Sequence, residues 1–312
     1  MKKKILTTML VAAMAMTAFA GCGSKEETTS DNAVSTTKES TASTETKNEA
    51  ENEETKESGT TYKVGIVQYV DDASLNQIEA AIEAELDAKG EELGVTFDYA
   101  DYTFNGQADS TTLNQIASEL VADEVDVIVP IATPTAMIMQ NATEDNQIPV
   151  VFSAVSDPES AGLVASNDAP GANITGTSDA LDTKAIMDLM FAANPDIKSV
   201  GLLYNKSEDS SKNPIAEAKA YLEEKGVEVV EKTGTNNAEV SSAADALVAA
   251  GVDAVFTPTD NTIMTAELGI YEKFTDAKIP HYAGADSFAL NGAFLGYGVN
   301  YEELGTKTAD MV

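Results

Sequence analysis

The chain offers few side chains that could carry out covalent chemistry. His281 is its only histidine and Cys22 its only cysteine, and it contains neither arginine nor tryptophan. Nucleophilic catalysis normally needs a serine or cysteine beside a base such as histidine. Neither a Gly-x-Ser-x-Gly motif nor a Walker-type phosphate loop occurs. Because His281 follows Ile279-Pro280 inside a predicted strand, a packed histidine is its simplest interpretation. The sequence therefore predicts a binding protein rather than an enzyme, with no cofactor and no metal site.

Polar and small side chains gather where predicted strands end. The carboxyl ends of parallel strands meet at one edge of a sheet, and small ligands bind there in open α/β folds. The residues expected at this edge are Gln68, Tyr69, Thr133, Pro134, Thr135, Ala154, Val155, Asp157, Tyr204, Asn205, Thr259, Asp260, Asn261 and Asp286.

Several of these positions could hold an anionic group without an arginine. Thr133 and Thr135 lie at a predicted helix N-terminus, where free N–H groups and the helix dipole favour negative charge. Ser74 and Ser207, the latter in a 207–211 loop, offer two similar positions. Simple N-capping is the alternative for each hydroxyl, and it is compatible with ligand binding.

A carboxylate without a lysine beside it would instead favour a cation. We expect Asp260 to face a cleft in this way, so that it would hold the ammonium group of a ligand. Asp157 and Asp179 are weaker candidates, with a turn position as the alternative. Tyr69 and Tyr204 end equivalent strands and could bracket a flat apolar group, the alternative being ordinary core packing.

An internal repeat indicates how these residues are positioned. Residues 126–137 (DVIVPIATPTAM) and 253–264 (DAVFTPTDNTIM) align without a gap, placing Asp260 on Thr133. Upstream, residues 63–67 match 199–203, and downstream Ile-Pro occurs in both copies. Any two βα units share some of this pattern, but the matching order and spacing favour a duplicated lobe.

The hydrophobic pattern alternates strand and helix through most of the chain from Tyr62 onward. This alternation predicts an α/β fold with two Rossmann-like lobes, each a parallel sheet flanked by helices. Strands are predicted at 63–69, 95–101, 126–131, 149–154, 199–204, 227–232, 253–257, 280–283 and 292–299. Helices are predicted at 74–89, 110–121, 134–145, 182–192, 213–225, 238–250, 261–275 and from Tyr301 onward. The first lobe is assigned to 62–180 plus about 286–312, and the second to 181–285.

The first 61 residues carry a different signal. Three lysines and an apolar run end in Phe19-Ala20-Gly21 before Cys22, which is typical of a lipoprotein signal peptide over 1–21. Lipid on Cys22 would anchor the protein to a membrane surface; a free thiol beside an ordinary cleavage site is the alternative. Residues 22–61 are rich in Ser, Thr and Glu and predict a disordered acidic tether.

The net charge of −33 excludes two classes of partner. Nucleic acids and anionic lipid surfaces bind proteins that present a basic face. We therefore expect a small-molecule ligand, with no nucleic-acid partner.

Seven blocks in order resemble a known family. They are 65–70 (GIVQYV), 131–134 (IATP), 151–158 (VFSAVSDP), 173–179 (NITGTSD), 201–205 (GLLYN), 258–261 (PTDN) and 297–301 (YGVNY). Together they are similar to the substrate-binding lipoproteins of ABC transporters, of the type that binds tryptophan or other aromatic amino acids. The resemblance covers residues 62–312.

The resemblance implies a type I periplasmic-binding fold with a three-segment hinge, closing on its ligand and docking on a permease linked to ATPase subunits. It implies site residues at Gln68-Tyr69, Thr133 to Thr135, Ala154-Val155, Ser178-Asp179, Tyr204-Asn205 and Thr259 to Asn261. We expect a monomer on the outer face of the cytoplasmic membrane of a Gram-positive bacterium. Family members usually continue beyond the helix that reaches Val312. A nucleoside or sugar ligand, or a ligand-sensing role, is the alternative function.

Overall fold

The computed structural model describes residues 59–312. The predicted signal peptide, Cys22 and the tether up to residue 58 lie outside this range. Between residues 59 and 312, no helix combines the length and the hydrophobicity needed to span a bilayer.

The first lobe is built on a six-stranded parallel sheet. Its strands are β1 (Thr61–Gln68), β2 (Thr96–Asp98), β3 (Thr103–Asn105), β4 (Val127–Ile131), β5 (Val150–Phe152) and β6 (Ile174–Gly176). Their order is β2-β1-β4-β5-β6, with β3 also paired to β1. The predicted strand at 95–101 contains only β2, which pairs with the start of β1, and the unpredicted β3 that follows it pairs with the end of β1.

The second lobe repeats this arrangement with five parallel strands. These are β7 (Ser199–Tyr204), β8 (Glu228–Thr233), β9 (Ala254–Thr257), β10 (His281–Ala283) and β11 (Leu295–Gly296). The order β8-β7-β9-β10-β11 matches the order of the first sheet strand for strand. With β2 and β3 counted as one strand, the order reverses in both lobes between the first and third strands, which are β1 and β4 in the first lobe and β7 and β9 in the second. Ligands bind at this place in such folds.

Helices cover the sheets and connect the strands. They are α1 (Ala73–Leu93), α2 (Ser110–Ala122), α3 (Thr133–Thr143), α4 (Thr183–Ala193), α5 (Asp209–Glu224), α6 (Asn237–Ala250), α7 (Asn261–Ala266), α8 (Tyr271–Ala277), α9 (Asp286–Leu290) and α10 (Tyr301–Met311). The α/β class with parallel sheets flanked by helices is thus confirmed.

The same packing contact recurs in both lobes. A Cβ atom on Gly65 would lie 2.8 Å from Leu120, and one on Gly201 would lie 2.7 Å from Leu247. Glycine therefore lets a leucine of the covering helix sit directly on the central strand. These four residues correspond in the sequence repeat, so the two copies fold alike.

The repeated aspartates also have one role. The Asp126 carboxylate accepts a hydrogen bond from the Lys63 backbone N–H at 2.8 Å, at the start of β1. The Asp253 carboxylate accepts from the N–H groups of Lys198 and Ser199 at 2.8 and 3.0 Å, at the start of β7. Each aspartate ties the third strand of its lobe to the first.

The last third of the chain departs most from the prediction. The helix expected at 261–275 is interrupted by a 3-10 turn (Glu267–Gly269) between α7 and α8. The strand expected at 292–299 is only β11, and α9 was not predicted. Since β11 pairs with β10, the second lobe extends past the predicted boundary at 286.

The lobes are joined through short connections and one returning helix. Within residues 59–312 the chain leaves the first sheet after β6 for α4, and returns after β11 to α10. Helix α10 packs against α1. A Cβ atom on Gly305 of α10 would lie 2.5 Å from the Ile78 carbonyl oxygen of α1. Only glycine permits so close an approach of the two backbones.

Candidate functional site

A small cavity lies between the carboxyl ends of the two sheets. Its volume is about 30 Å³, and both lobes contribute to it. The lining residues are Ser74, Leu75, Ala132, Thr133, Ala154, Ser156, Asp179, Ser210, Thr259, Asn261, Met264, Ala285, Phe288 and Tyr301. Of the predicted site residues, Ser74, Thr133, Ala154, Asp179, Thr259 and Asn261 meet here.

The first lobe presents an uncapped helix N-terminus to the cavity. Ala132 precedes α3 and has no side chain that could accept a hydrogen bond from it. The first N–H groups of any helix lack an acceptor within the helix. The Thr133 hydroxyl makes no hydrogen bond to another residue of 59–312, and the buried Thr135 hydroxyl also lacks a partner there. Only Thr133 of the two lines the cavity, so this wall offers the Thr133 hydroxyl and the start of α3 as free donors.

The backbone is strained at the same place. Ala132 has φ 80° and ψ 151°, a region populated almost only by glycine, and Ala154 has φ 54°. Both residues end central strands and line the cavity. Non-glycine residues in such conformations cost about 1–3 kcal/mol each and cluster at binding sites.

The second lobe satisfies its own donors. Five N–H and O–H groups donate to the carboxylate of Glu208: those of Asn261 and Thr262, each through backbone and side chain, and the Ser210 hydroxyl, at 2.6–3.2 Å. Glu208 is 9% exposed. Asn261 and Ser210, which line the cavity, thus have donors already engaged.

Asp260 does not present an unpaired carboxylate to the cleft, so that prediction is wrong. It is fully buried and caps α7, accepting hydrogen bonds from Ile263 N–H at 2.9 Å, Asn205 N–H at 2.7 Å and the Ser211 hydroxyl at 2.6 Å. Burial first, and then the charge of Glu208, raise the pKa of Asp260 to about 8. It is a structural cap rather than part of the cavity lining.

Asp179 is the carboxylate that lines the cavity. It accepts a hydrogen bond from the Ser156 hydroxyl at 2.9 Å, and burial raises its pKa above the usual value. Among residues 59–312, no lysine forms an ion pair with it. A buried carboxylate without a cation is costly, so this position favours a ligand cation.

Tyr301 lies at the same end of the cavity as a neutral phenol, with several aspartates near it. Burial raises its pKa well above 10, and Asp179, Asp286 and Asp72 add to that shift. Asp286 accepts a hydrogen bond from the Ser74 hydroxyl at 2.5 Å. Asp72, rather than Ser74, is the side chain that caps α1.

Besides the Ser74–Asp286 hydrogen bond between α1 and α9, two further polar contacts join the lobes across the cleft. The hydroxyls of Ser156 and Thr259 lie 2.9 Å apart inside the cleft. Asp157 of the first lobe accepts a hydrogen bond from the amide of Asn213 on α5, which also lies 3.4 Å from the Ser160 hydroxyl. Asp157 therefore acts between the lobes and is not in the cavity lining.

The predicted tyrosine bracket is also wrong. Tyr204 is buried in the core of the second lobe, and its hydroxyl donates to Glu231 on the neighbouring strand at 2.7 Å. Tyr69 is half-buried at the other lobe. Burial first, and then the charges of Glu208 and Asp260, raise the pKa of Tyr69 to about 12.

The remaining predicted residues surround the cavity without lining it. The Gln68 amide donates to Asn76 at 2.6 Å, Val155 is buried in the first core, and Asn205 donates to Thr262 at 2.9 Å. Pro134 and Thr135 follow Thr133 inside α3. Ser178 and Ser207 are exposed, and Asp286 begins α9.

Several lining residues were missed, and the repeat could have found two of them. Ala132 corresponds to Thr259, and Ala285 corresponds to Ala154, so each missed residue pairs with a predicted one. Ser156 and Ser210 lie beside predicted positions. Leu75, Met264, Phe288 and Tyr301 carry no distinctive signal, because apolar residues at a helix start are usually core.

A larger cavity and the single histidine lie elsewhere. The cavity, of about 460 Å³, opens near the start of β10 and includes Lys278, Tyr271 and Phe294. This is the amino end of the strands, where the open α/β folds do not bind ligands. His281 borders it but is 2% exposed, with its ring nitrogens 3.0 Å from Glu267 and 2.9 Å from Thr257. The packed interpretation of His281 is confirmed.

Comparison with known proteins identifies close relatives. The sequence model described as "ABC transporter substrate binding protein" matches residues 63–312. A tyrosine-binding protein of Clostridioides difficile (strain R20291) is 32% identical over 311 residues, which is 99% of this chain and 83% of that protein.

Two solved structures are also similar. One, an ABC domain from Streptococcus pneumonia in complex with L-Trp, is 32% identical with a TM-score of 0.74, over 81% of this chain and 83% of that one. The other is a ligand-free, open substrate-binding protein with adhesive properties from Clostridium difficile, 35% identical with a TM-score of 0.58, over 80% and 83%. At similar identity, the lobes here match the L-Trp complex better than the open structure.

Proposed function

Because this chain belongs to the family of ABC transporter substrate-binding proteins, which have the type I periplasmic-binding fold and act outside the cytoplasm, we propose that it captures an aromatic amino acid between its lobes and delivers it to a membrane permease. Relatives named for tyrosine binding and crystallised with L-Trp support this ligand class. The family consists of binding proteins rather than enzymes.

The buried Asp179 is the observation that carries the proposal. A free amino acid bears one ammonium and one carboxylate. Asp179, without a lysine partner among residues 59–312, complements the ammonium group. The uncapped start of α3, with Thr133, complements the carboxylate in the absence of arginine.

Apolar residues complete the cavity. Leu75, Met264 and Phe288 supply the surface for a ligand side chain. Small-molecule sites usually have about 300–1,000 Å³, far more than the 30 Å³ between the lobes here. Binding therefore requires the lobes to separate, admit the ligand and close again, and the ligand shifts this equilibrium by its higher affinity for one arrangement.

The location completes the proposal. The signal-like segment before Cys22 supports lipid attachment there, and the acidic segment that follows would let the binding body reach a permease in the same membrane. We propose a monomeric lipoprotein on the outer face of the cytoplasmic membrane of a Gram-positive bacterium.

Thermal unfolding of the purified protein with a ligand panel tests the function. Aromatic amino acids should raise the midpoint, because a ligand at one hundred times its Kd stabilises by about 2.7 kcal/mol. Aliphatic amino acids, nucleosides and sugars are the controls. Stabilisation by a nucleoside or sugar alone would refute an amino-acid ligand while leaving the family unchanged.

A further inference from the structure

We propose that Glu208 fixes the orientation of the ligand and selects against ligands that carry an anion without an amino group. The inference rests on the proposed function and names a residue that determines specificity at the same site. Glu208 acts by engaging the donors of the second lobe beside the cavity.

The first step concerns hydrogen bonding. The loop before α5 places the Glu208 side chain against Asn261 and Thr262, which it joins through backbone and side-chain donors at 2.6–3.0 Å. The Ser210 hydroxyl donates to it as well, at 3.2 Å. Asn261 and Ser210 line the cavity, so the polar groups that a ligand carboxylate would otherwise find on this lobe are occupied by a carboxylate of the protein.

The second step concerns charge. Asp260 precedes Asn261, from whose backbone and side-chain donors Glu208 accepts hydrogen bonds, and burial and then the charge of Glu208 raise the pKa of Asp260 to about 8. Among residues 59–312, neither carboxylate forms an ion pair with a lysine. Asp260 therefore largely keeps its proton at neutral pH, and the side of the cavity formed by the second lobe has Glu208 as its acidic group and few free donors.

The first lobe supplies the contrast. At the equivalent junction, α3 starts without a side-chain cap, and Thr133 lines the cavity with a hydroxyl that makes no hydrogen bond within residues 59–312. A ligand carboxylate is consequently directed to the first lobe. An anion placed at the second lobe would lie against Asn261 and Ser210, whose donors Glu208 already occupies, and like charges repel more strongly where the surroundings are buried.

Three ligands that share one ring test this assignment. They are L-tyrosine, 3-(4-hydroxyphenyl)propionate, which lacks the ammonium group, and tyramine, which lacks the carboxylate. Affinities are measured by calorimetry for the parent protein, for Glu208→Gln and for Asp209→Asn. The last is a matched control, because Asp209 is adjacent, carries the same charge and pairs with Lys212 away from Asn261 and Thr262.

In Glu208→Gln, the affinity of the propionate relative to tyramine should rise on the order of tenfold. The control should keep the parent ratio. An unchanged ratio in Glu208→Gln, or an equal rise in Asp209→Asn, would overturn the proposal even if L-tyrosine binds to every protein.

A second measurement does not depend on an amino-acid ligand. Glu208→Ala leaves five donors without their carboxylate, so added acetate should raise its unfolding midpoint by several degrees more than that of the parent. Equal effects of acetate on both proteins would overturn the role of Glu208. If the parent binds no amino acid and yet acetate stabilises Glu208→Ala, the proposed ligand class is wrong. The result would still support the role of Glu208 as the acceptor of the five donors.

Discussion

The two βα junctions at the cleft have the same backbone plan and opposite polarity. In the first lobe, β4 ends at Ala132 and α3 begins without a cap, leaving donors free. In the second, β9 leads to Asp260, and Asp260 with Glu208 satisfies the start of α7. The two lobes offer two equivalent positions for an anion, each at the start of a helix. The protein's own Glu208 carboxylate occupies the position in the second lobe. A symmetric fold thereby becomes a site that distinguishes the two ends of a ligand.

The largest expected effect comes from exchanging equivalent residues of the two junctions for alanine. Asp260→Ala removes the acceptor of three buried donors, and should lower the free energy of unfolding by about 3 kcal/mol. Thr133→Ala, at the matching position, removes no hydrogen bond within 59–312. It should leave stability nearly unchanged and weaken ligand binding by about tenfold. Denaturant unfolding measures the stability of both variants, and calorimetry measures their affinity. A loss of stability in Thr133→Ala with none in Asp260→Ala would contradict the difference between the two junctions.

Asp179→Asn tests the cationic end of the site. Loss of one partner from a buried charge pair costs about 2–5 kcal/mol, so affinity for an aromatic amino acid should fall by at least about 30-fold. The midpoint of unfolding should be unchanged or raised. Asp182→Asn, at the exposed cap of α4, is the control. Calorimetric Kd values that are equal for both variants would remove Asp179 from the site.

The buried acid of the second junction should make stability depend on pH. The folded pKa of Asp260 is about 8, above its unfolded value near 3.9. The folded protein therefore holds a proton that the unfolded chain has lost, and stability should fall as pH rises from about 4 to 8. The slope for one proton is at most about 1.4 kcal/mol per pH unit.

Asp179 and Asp72, whose pKa values are also raised mainly by burial, contribute in the same direction. Unfolding midpoints from pH 5 to 9 should therefore fall less in Asp260→Asn than in the parent. Parallel curves would show that Asp260 does not titrate in this range.

The smallest effect concerns backbone strain. Ala132→Gly should stabilise the protein by up to about 1 kcal/mol, because relief of the positive φ exceeds the entropy cost of glycine. The equivalent residue of the second lobe, Thr259, has no positive φ, so Thr259→Gly should destabilise. Thermal unfolding of both variants checks this difference. Midpoints of Ala132→Gly and Thr259→Gly that shift in the same direction would contradict it.

Much of the architecture was accessible from the sequence because local patterns encode it. The alternating strands and helices and the repeated Asp126 and Asp253 predicted two similar lobes. The short helix α9 was missed and β11 was predicted too long, because such elements hold too few residues to show a period.

The site was harder to predict because its partners are distant in sequence. Asp260 was expected to be unpaired, but the fold brings Asn205 and Ser211 to it from about 50 residues away. Tyr204 was assigned to the cleft from its strand end alone. Strands of a sheet that is buried on both faces show no alternation of apolar and polar residues. The sequence therefore could not show on which side of the sheet Tyr204 lies.

The narrow space between the lobes has a kinetic consequence. A volume of about 30 Å³ holds roughly one or two water molecules, so no amino acid can enter while the Ser156–Thr259 and Asp157–Asn213 contacts persist. Association should therefore be slower than diffusion allows. If opening precedes capture, the observed rate should level off at high ligand concentration, at the frequency with which these contacts break. Dissociation would be limited by the same event, which gives a bound ligand a long residence time.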